Sequence, residues 1–410
     1  MTSFEDLGLP TYLLKAVKAL GYDVPTPIQM QAIPLVTAGG DLVAEAETGS
    51  GKTAAFVLPI LKKMNEGRGD TDLASVQVVT LVPTRELALQ VSQVFKRLGQ
   101  FSPTGVRVLA VIGGLAIEDQ IAALEKGVTV VVATPGRLLD LIDRGVIDLE
   151  HVHTLVLDEA DKLLDVGFTE ELNTFLEGMP SRRQTLLFSA TLPPEVVDLG
   201  ERILRNHSLV RLAERHAPVA NVTQRVFQVD RNRRRALLQL LIEQEGWAQT
   251  LVFVATQMAS INLAQKLRHS GHAAVSLPGG LTQDDRIQAL KRFKSGRAAI
   301  LVATDIAARG IDIPQLAVAV NYDLPRSPHD YVHRIGRTGR AGASGIAVSF
   351  VDHETEAHFR VIEKKNHFRL ERQQITGFEL TEAPQEPRRG SPPKKGKRKS
   401  KKDKLRASQS

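Results

Sequence analysis

Residues 43–64, VAEAETGSGKTAAFVLPILKKM, join a short apolar strand to an apolar helix through a glycine-rich turn. Residues 46–53 fit the pattern G-x-x-x-x-G-K-[ST], with Ala46 in the first glycine position. In this pattern the backbone N–H groups of the turn bind phosphate oxygens, the lysine reaches the outer phosphates, and the final hydroxyl binds Mg²⁺. A glycine-rich turn that binds nothing is the alternative, but strand, turn, Lys-Thr pair and helix all occur in the required order. The predicted contacts in this turn are Thr48, Gly49, Ser50, Gly51, Lys52 and Thr53, of which Lys52 is also catalytic and Thr53 a metal ligand.

Short β-branched runs alternate with amphipathic helical patterns along the chain, which predicts an α/β fold with parallel sheets flanked by helices. The alternation occurs twice and is lost near residues 207–221. We therefore expect a first domain over residues 1–207, a linker over 208–221 and a second domain over 222–380. The predicted strands lie within residues 41–46, 76–83, 106–113, 128–135, 153–159 and 184–190, and then within 224–230, 249–256, 272–279, 298–305, 316–323 and 345–350.

The positive charge of the chain is concentrated at its C-terminal end. The net charge is +7, but residues 388–410 contain eleven Lys/Arg and one acid, so this segment carries +10 and the rest of the chain carries −3. Residues 381–410 contain too little apolar material to form a core, so we expect a disordered basic tail. Such a tail either tethers nucleic acid or merely keeps the protein soluble, and the sequence of the tail leaves both open.

Bulk composition limits the class of protein. A chain of 410 residues with 42% hydrophobic residues has enough material for two cores, and no apolar run approaches the ~18 residues that span a bilayer. The N-terminal residues lack a secretory signal, and the chain contains no cysteine. These features predict a cytoplasmic protein, without a membrane segment, disulfides or thiolate metal sites.

Residues 155–168, LVLDEADKLLDVGF, run from an apolar strand into four carboxylates. A phosphate-binding loop needs a carboxylate from a second strand to hold its metal, and Asp158 has that position. Glu159 follows directly and lies where it would orient a water molecule that attacks the outer phosphate. The alternative is that both acids only favour the start of the next helix. Asp165 has no motif partner and is expected to face solvent.

Asp158, Glu159, Ala160 and Asp161 spell D-E-A-D, and the chain resembles the DEAD-box ATP-dependent RNA helicases of superfamily 2, in their short bacterial form. The resemblance covers about residues 4–350. Its further motifs are GYDVPTPIQ (21–29), PTRELALQ (83–90), GG (113–114), TPGR (134–137), SAT (189–191), LVFVAT (251–256), VATDIAARGIDI (302–313) and YVHRIGRTGRAG (331–342).

The resemblance implies two tandem RecA-like domains, with ATP and Mg²⁺ as cofactors. It implies that Gln29 selects adenine, although Gln29 also fits a capping box with Thr26 that needs no ligand. Phe4 matches the upstream aromatic that stacks on the base, and Asp312 matches a ribose contact. Thr26 is expected to serve both the helix cap and the nucleotide pocket.

The resemblance also assigns roles around the cleft between the domains. Arg337 and Arg340 match arginine fingers, which supply positive charge to the developing γ-phosphate and so join Glu159, Lys52 and Asp158 as catalytic residues. The implied residues that couple hydrolysis to RNA are Asp161, Ser189, Thr191, Arg309 and His333. The implied RNA contacts are Thr84, Arg85, Gly114, Thr134, Arg137, Thr256, Arg286 and Thr304, which suit phosphate and 2′-OH contacts without base readout. Pro278 and Gly280 depart from the family pattern, so polar contacts there are in doubt.

These features together predict an RNA-stimulated ATPase that closes two domains on single-stranded RNA and separates short duplexes. Two alternatives stay open: an ATP-gated RNA clamp or assembly scaffold that unwinds little, and a DNA translocase of the wider superfamily. We expect a monomer that works on ribosomal precursors or with RNA-degradation machinery, and the sequence does not choose between these partners.

Overall fold

The computed structural model describes residues 3–46, 49–66, 75–212, 222–308, 316–339 and 344–381. These residues form two α/β domains, each built on one parallel sheet that has seven strands in the described ranges. The predicted fold class of two tandem parallel-sheet domains flanked by helices is confirmed. The predicted basic tail, apart from Thr381, lies outside the described residues.

The first domain carries its phosphate-loop strand and its acidic strand close together. The sheet order is β3-β4-β2-β5-β6-β1-β7, so only β6 separates β1 from β5. Its strands are β1 (Leu42–Glu45), β2 (Val78–Leu81), β3 (Val108–Val111), β4 (Val130–Ala133), β5 (Thr154–Leu157), β6 (Gln184–Ser189) and β7 (Ser208–Arg211). Its helices are α1 (Thr11–Ala19), α2 (Pro27–Thr37), α3 (Lys52–Glu66), α4 (Arg85–Leu98), α5 (Ile117–Glu125), α6 (Pro135–Asp143), α7 (Ala160–Asp165), α8 (Thr169–Glu177) and α9 (Pro194–Ile203).

The second domain repeats this architecture without the phosphate loop. The sheet order is β10-β11-β9-β12-β13-β8-β14. Its strands are β8 (Val222–Gln228), β9 (Thr250–Phe253), β10 (Ala274–Leu277), β11 (Ile300–Ala303), β12 (Val318–Asn321), β13 (Gly345–Val351) and β14 (Arg372–Gln373). Its helices are α10 (Arg234–Glu245), α11 (Gln257–His269), α12 (Gln283–Lys294), α13 (Asp305–Ala308), α14 (Pro328–Ile335) and α15 (Glu356–Lys365).

The central strands are apolar on both faces because helices cover both sides of each sheet. Every residue of β2, β4, β5 and β6 is buried, and the same holds for β9, β11 and β12. All recorded strand pairs are parallel, so the carboxyl ends of the strands meet at one edge of each sheet. The polar residues that follow those ends are therefore brought together at that edge.

The boundary between the domains differs from the prediction. Ser208–Arg211 was expected to begin the linker, but it forms β7 and pairs in parallel with β1. The first domain therefore continues to Leu212. The reason for the difference is that β7 is an edge strand, partly exposed, and lacks the continuous apolar run of a central strand.

A C-terminal segment, residues 366–381, runs along the edge of the second sheet and adds β14 beside β8. Arg372 fixes this segment by ion pairs with Glu356 at 3.0 Å and Glu363 at 2.7 Å, and it lies over the ring of Phe359. Thr381 donates from its backbone and hydroxyl to Asp230. In the described ranges, no helix has the length and apolar character needed to cross a membrane.

Candidate nucleotide site and the contact between the domains

A cavity of about 500 Å³ opens at the carboxyl edge of the first sheet. Its walls include the phosphate loop after β1, the acids after β5, Tyr22 from the segment before α2, and Gln29 in the first turn of α2. Arg337, from the loop after α14 of the second domain, also lines it. Residues that lie far apart in the sequence and in two domains thus face one cavity.

The phosphate loop has the conformation that its glycines allow. Gly49 and Gly51 have φ values of +87° and +96°, which side chains rarely tolerate. α3 begins at Lys52, whose ammonium donates to the carbonyl of Ala46 at 2.7 Å and thereby closes the loop. Lys52 and Thr53 both line the cavity, as predicted for residues that contact phosphates and metal. Thr48 lies outside the described residues.

Gln29 joins the start of α2 to the phosphate loop. Its Oε1 accepts from the backbone N–H of Thr26 at 2.9 Å, and its Nε2 donates to the carbonyl of Gly51 at 3.1 Å. A Cβ atom on Gly51 would lie 2.6 Å from Nε2 of Gln29 and 2.7 Å from Oγ1 of Thr26, so this corner has no room for a side chain. The helix-capping role of Gln29 and its position in the cavity therefore coexist.

The aromatic contact predicted for Phe4 is not supported by its position. Phe4 is 5% exposed and packs in the hydrophobic core with Leu9 and Leu13. The aromatic residue that lines the cavity is Tyr22, which is 37% exposed. Sequence reasoning missed Tyr22, although it lies inside the same motif as Gln29.

The two acids after β5 are buried and differ electrostatically. Burial raises the pKa of the Asp158 carboxyl to about 6, against the lowering effect of the Lys52 ammonium. Burial also raises the pKa of the Glu159 carboxyl, but Lys162 and Lys52 outweigh it and hold that pKa below its ordinary value. Glu159 has a left-handed backbone, with φ 54° and ψ 51°, and its N–H donates to Asp158 Oδ1 at 2.9 Å.

Asp161 contacts the S-A-T segment at the end of β6, which brings together three of the residues that the resemblance assigns to coupling. Its carboxylate accepts from Thr191 Oγ1 at 3.2 Å, and its backbone N–H donates to Ser189 Oγ at 3.2 Å. Ser189 in turn donates to the carbonyl of Thr191 at 2.6 Å. Asp165, the last residue of α7, is exposed, as expected for an acid without a motif role.

The residues present fit a magnesium ion bound together with a nucleotide. Asp158 and Thr53 line the same cavity, and they supply the carboxylate and hydroxyl oxygens that Mg²⁺ prefers. In the part of the chain that the structure describes, no group of three or more metal-ligating side chains forms. A Mg²⁺ ion that is shared with phosphates needs only one or two protein ligands.

The second domain touches the first beside the predicted RNA residues. Arg286, on α12, forms an ion pair with Glu86, on α4, and both side chains are nearly buried. Arg286 also donates to the carbonyl of Ala307 at 2.6 Å. Arg85 lies against Gly114 and donates to Gln283 of the second domain at 3.4 Å.

These contacts involve two residues that the resemblance assigns to RNA. The guanidinium groups of Arg286 and Arg85 contact the other domain in this structure, and their RNA roles stay predictions. Gly114, with φ +86°, allows the close approach of Arg85, because a Cβ atom there would lie 2.4 Å from its Nη1.

Comparison with known proteins assigns the family. Residues 26–199 match the model of the DEAD/DEAH box helicases, and residues 232–342 match that of the helicase conserved C-terminal domain. The chain is 42% identical over 372 residues to the DEAD-box ATP-dependent RNA helicase CshA of Geobacillus kaustophilus, and the match covers 91% of this chain and 78% of that one. This chain belongs to the DEAD-box family of ATP-dependent RNA helicases. It is an ATP-hydrolysing enzyme.

Solved structures resemble this helicase over nearly its whole length. A point variant of Dbp5 from S. cerevisiae, bound to RNA and ADP BeF3, has a TM-score of 0.79 and 31% identity, over 92% of this chain and 96% of that chain. The same Dbp5 variant bound to Nup159, a Gle1 variant, IP6 and ADP has a TM-score of 0.63 and 31% identity, over 90% and 95%.

The remaining predicted RNA residues of the helicase lie at the carboxyl edges of the two sheets. Thr84 and Thr256 cap α4 and α11 by accepting from the backbone N–H groups of Leu87 and Ala259. Thr134 and Thr304 follow β4 and β11, and both are nearly buried. Arg137 donates to the carbonyl of Leu115 at 3.2 Å, which leaves its RNA role a prediction.

Several predicted residues of the cleft are not described. Arg309, Asp312 and Arg340 lie outside the described ranges, so their implied roles stay predictions. His333 lies in the last turn of α14, and its coupling role stays a prediction. Arg334, which sequence reasoning gave no role, is buried and bonds both oxygens of Asp305, and so helps to hold the second domain together.

Proposed function

We propose that this helicase binds ATP in the cavity, closes its two domains on single-stranded RNA, and uses this closure to separate short RNA duplexes. The observation that carries the proposal is that Arg337 of the second domain faces the same cavity as Lys52, Asp158 and Glu159 of the first. Hydrolysis then requires both domains in contact, because a cation from the second domain completes the charge around the γ-phosphate.

The chemistry follows from the residues of the cavity. Lys52 and the N–H groups of the phosphate loop bind the β- and γ-phosphates. Glu159 orients the attacking water and accepts its proton as the new P–O bond forms and the bond to ADP breaks. Arg337, together with Arg340, stabilises the charge that develops on the γ-phosphate. Asp158 and Thr53 would hold Mg²⁺, which neutralises phosphate charge when it is bound.

The nucleotide base is recognised at the other end of the cavity. Gln29 already donates to the carbonyl of Gly51, so adenine binding to Gln29 would be coupled to the conformation of the phosphate loop. We propose that Tyr22 supplies the stacking surface previously expected of Phe4, because its ring lines the cavity and keeps more than a third of its surface accessible.

Domain closure is supported by the contact between Arg286 and Glu86 and by the pattern of structural similarity. The match to the Dbp5 variant has a TM-score of 0.79 when that protein is bound to RNA and ADP BeF3, 0.74 when it is bound to a Gle1 variant and IP6, and 0.63 when it is bound to Nup159, a Gle1 variant, IP6 and ADP. The RNA complex gives the highest of these three scores. We infer that this helicase adopts a closed arrangement similar to the RNA complex.

RNA would bind without sequence preference across the carboxyl edges of both sheets. Threonine hydroxyls such as Thr84 and Thr256, the backbone at Gly114 and the side chain of Arg137 suit phosphate and 2′-OH groups and offer no base-specific pattern. The two domains would hold successive parts of one strand, so that closing them bends the strand and disrupts a helix that includes it.

We further propose that the basic tail tethers RNA, that the enzyme acts in the cytoplasm as a monomer, and that ribosomal precursors or RNA-degradation machinery supply its substrates. Deletion of residues 388–410 removes a net charge of +10. RNA binding should then weaken and its salt dependence should fall, with maximal ATPase rate unchanged at saturating RNA. An unchanged salt slope would refute the tether.

The test of the proposed function is Glu159→Gln. This variant should bind ATP and RNA and hold them in a long-lived complex, with turnover reduced by at least ~100-fold, because the attacking water loses its base. Wild-type turnover in Glu159→Gln would remove Glu159 from the chemistry. Duplex separation that fails in the wild-type enzyme while RNA-stimulated turnover persists would favour an RNA clamp instead.

A further inference from the structure

Lys162 is a buried lysine that no motif explains. It follows the D-E-A-D residues directly, is the third residue of α7, and is only 3% exposed. Its Nζ lies 3.0 Å from Oε2 of Glu159. A lysine on a short surface helix ordinarily extends its ammonium group into water, so a buried ammonium group indicates that its position matters.

Glu159 is the partner that compensates the charge of Lys162. Among the described residues, Glu159 is the only carboxylate in ion-pair contact with Lys162 Nζ. The neighbouring acid, Asp161, is committed to Thr191. Burying a lysine costs free energy unless an opposite charge is close. The pair therefore confines the Glu159 carboxylate to one side of its own backbone.

The backbone adds to this constraint. Glu159 has the left-handed conformation, which is unfavourable for a non-glycine residue. Its carbonyl accepts from the N–H groups of Lys162 and Leu163, both at 3.0 Å. The first turn of α7 thus fixes the backbone of Glu159, and the side chain of Lys162 reaches back from that turn to its carboxylate.

We propose that Lys162 is a positioning residue for hydrolysis, which holds the Glu159 carboxylate in line with the attacking water. The proposal rests on the proposed role of Glu159. Lys162 does not line the cavity, whereas Glu159, Lys52 and Asp158 do. Its ion pair is with Glu159, and its charge acts on Asp158 only as the last of the recorded influences on that carboxyl, so its loss should change the chemical step and leave ATP binding nearly unaltered.

The expected size of the effect follows from how strongly the rate of an enzyme depends on the position of its reacting groups. A displacement of about 1 Å in a reacting group costs up to ~100-fold in rate. Lys162→Met keeps the length and apolar stem of the side chain but removes its charge. We expect RNA-stimulated kcat to fall ~10- to 100-fold, with KM for ATP within ~3-fold of wild type. Lys162→Arg, which keeps the charge, should recover most of the lost rate.

The measurement is steady-state ATPase with saturating RNA on wild type, Lys162→Met, Lys162→Arg and the matched control Asp165→Asn, on the exposed end of the same helix. Thermal unfolding of each variant checks the fold. If Lys162→Met does not fold, Lys162→Gln takes its place. The control should behave as wild type.

Three results would overturn the proposal: kcat in Lys162→Met within twofold of wild type, a rise in KM that matches the fall in kcat, or Lys162→Arg no better than Lys162→Met. Failure of the underlying function has a different signature. If Glu159→Gln retains turnover, the role of Glu159 itself is wrong, whatever Lys162 does. If Glu159→Gln is inactive and Lys162→Met has wild-type turnover, only the proposed positioning role of Lys162 is refuted.

Discussion

The ion pair between Glu86 and Arg286 allows a direct test of the proposed domain closure. The two side chains are 9% and 11% exposed in the described arrangement, and each belongs to a different domain. When the domains separate, both groups regain water. Glu86→Ala leaves Arg286 in the closed state with only the carbonyl of Ala307 as a recorded partner, and it leaves the open state almost unaffected.

The magnitude follows from the nature of the bond. A hydrogen bond to a charged group contributes ~1.5–3 kcal/mol, and measured couplings between charge pairs at interfaces begin at about the same value. At ~1.4 kcal/mol per factor of ten, loss of the pair should shift the closing equilibrium ~10- to 100-fold toward the open state. The acid at the start of α4 also favours that helix, but it does so equally in both states.

Closure can be followed by fluorescence energy transfer, because the chain contains no cysteine. Ser181→Cys and Ser270→Cys introduce one exposed labelling site in each domain. With a non-hydrolysable ATP analogue, the RNA concentration for half-maximal closure should rise ~10- to 100-fold in Glu86→Ala. Glu177→Gln, at an exposed position of the first domain, is the control and should leave the midpoint unchanged.

A double-mutant cycle refines the test. If Arg286 acts through Glu86, then Arg286→Ala should shift the midpoint by the same factor, and the double variant should be no worse than either single variant. A midpoint within twofold of wild type in Glu86→Ala would refute the role of the ion pair in closure. Losses that add in the double variant would return Arg286 to its predicted role as an RNA contact.

Single-site variants test three other parts of the structure. Gly51→Ala should weaken ATP binding ~5- to 30-fold in equilibrium titrations, because alanine at φ +96° costs ~1–2 kcal/mol and its Cβ would displace the side chains of Gln29 and Thr26. Unchanged affinity would contradict this prediction. Arg372 outweighs the effect of burial and holds the pKa values of Glu356 and Glu363 below 4.5, so the stability that these ion pairs provide is present above pH 4.5 and is lost as the pH falls through the lowered pKa values. The difference in unfolding midpoint between wild type and Arg372→Met should therefore shrink on acidification. A difference that does not change with pH would contradict this prediction. Arg340→Ala should reduce kcat much more than ATP affinity, and equal losses would argue against a finger role.

The sequence predicted the sheets well because their strands are continuous buried runs. Strands such as β5 and β9, apolar on both faces, are recognisable without any structure. The edge strands β7 and β14 were not, because they are partly exposed and their residues, SLVR and RQ, lack a continuous apolar run. The first domain therefore ends later than the alternation indicated.

The sequence predicted those parts of the site that are formed by residues close together in the chain. The phosphate loop and the capping box of Gln29 depend on residues a few positions apart, so spacing alone located them. The ion pair of Glu86 with Arg286 joins residues 200 positions apart across two domains. No feature of the sequence around Glu86 or around Arg286 identifies the other residue as its partner. The burial of Phe4 was likewise not predictable, because it depends on packing against the hydrophobic core and not on the distance of Phe4 from the motif that contains Gln29.

Lys162 illustrates a third case. Its neighbours in the sequence are recognisable, but a lysine after an acidic motif is expected to face water. Only the packing of α7 against β6 and α9 buries it beside Glu159.

In the proposed mechanism, RNA brings the two domains together and so completes an ATPase site that both share. The most direct test is the ATPase rate of the full chain, measured at saturating ATP and Mg²⁺ with no nucleic acid, with single-stranded RNA, and with DNA of the same sequence. We expect slow turnover of the protein alone, stimulation of at least ~10-fold by RNA, and little stimulation by DNA. Equal stimulation by RNA and DNA, or full turnover without either, would contradict it.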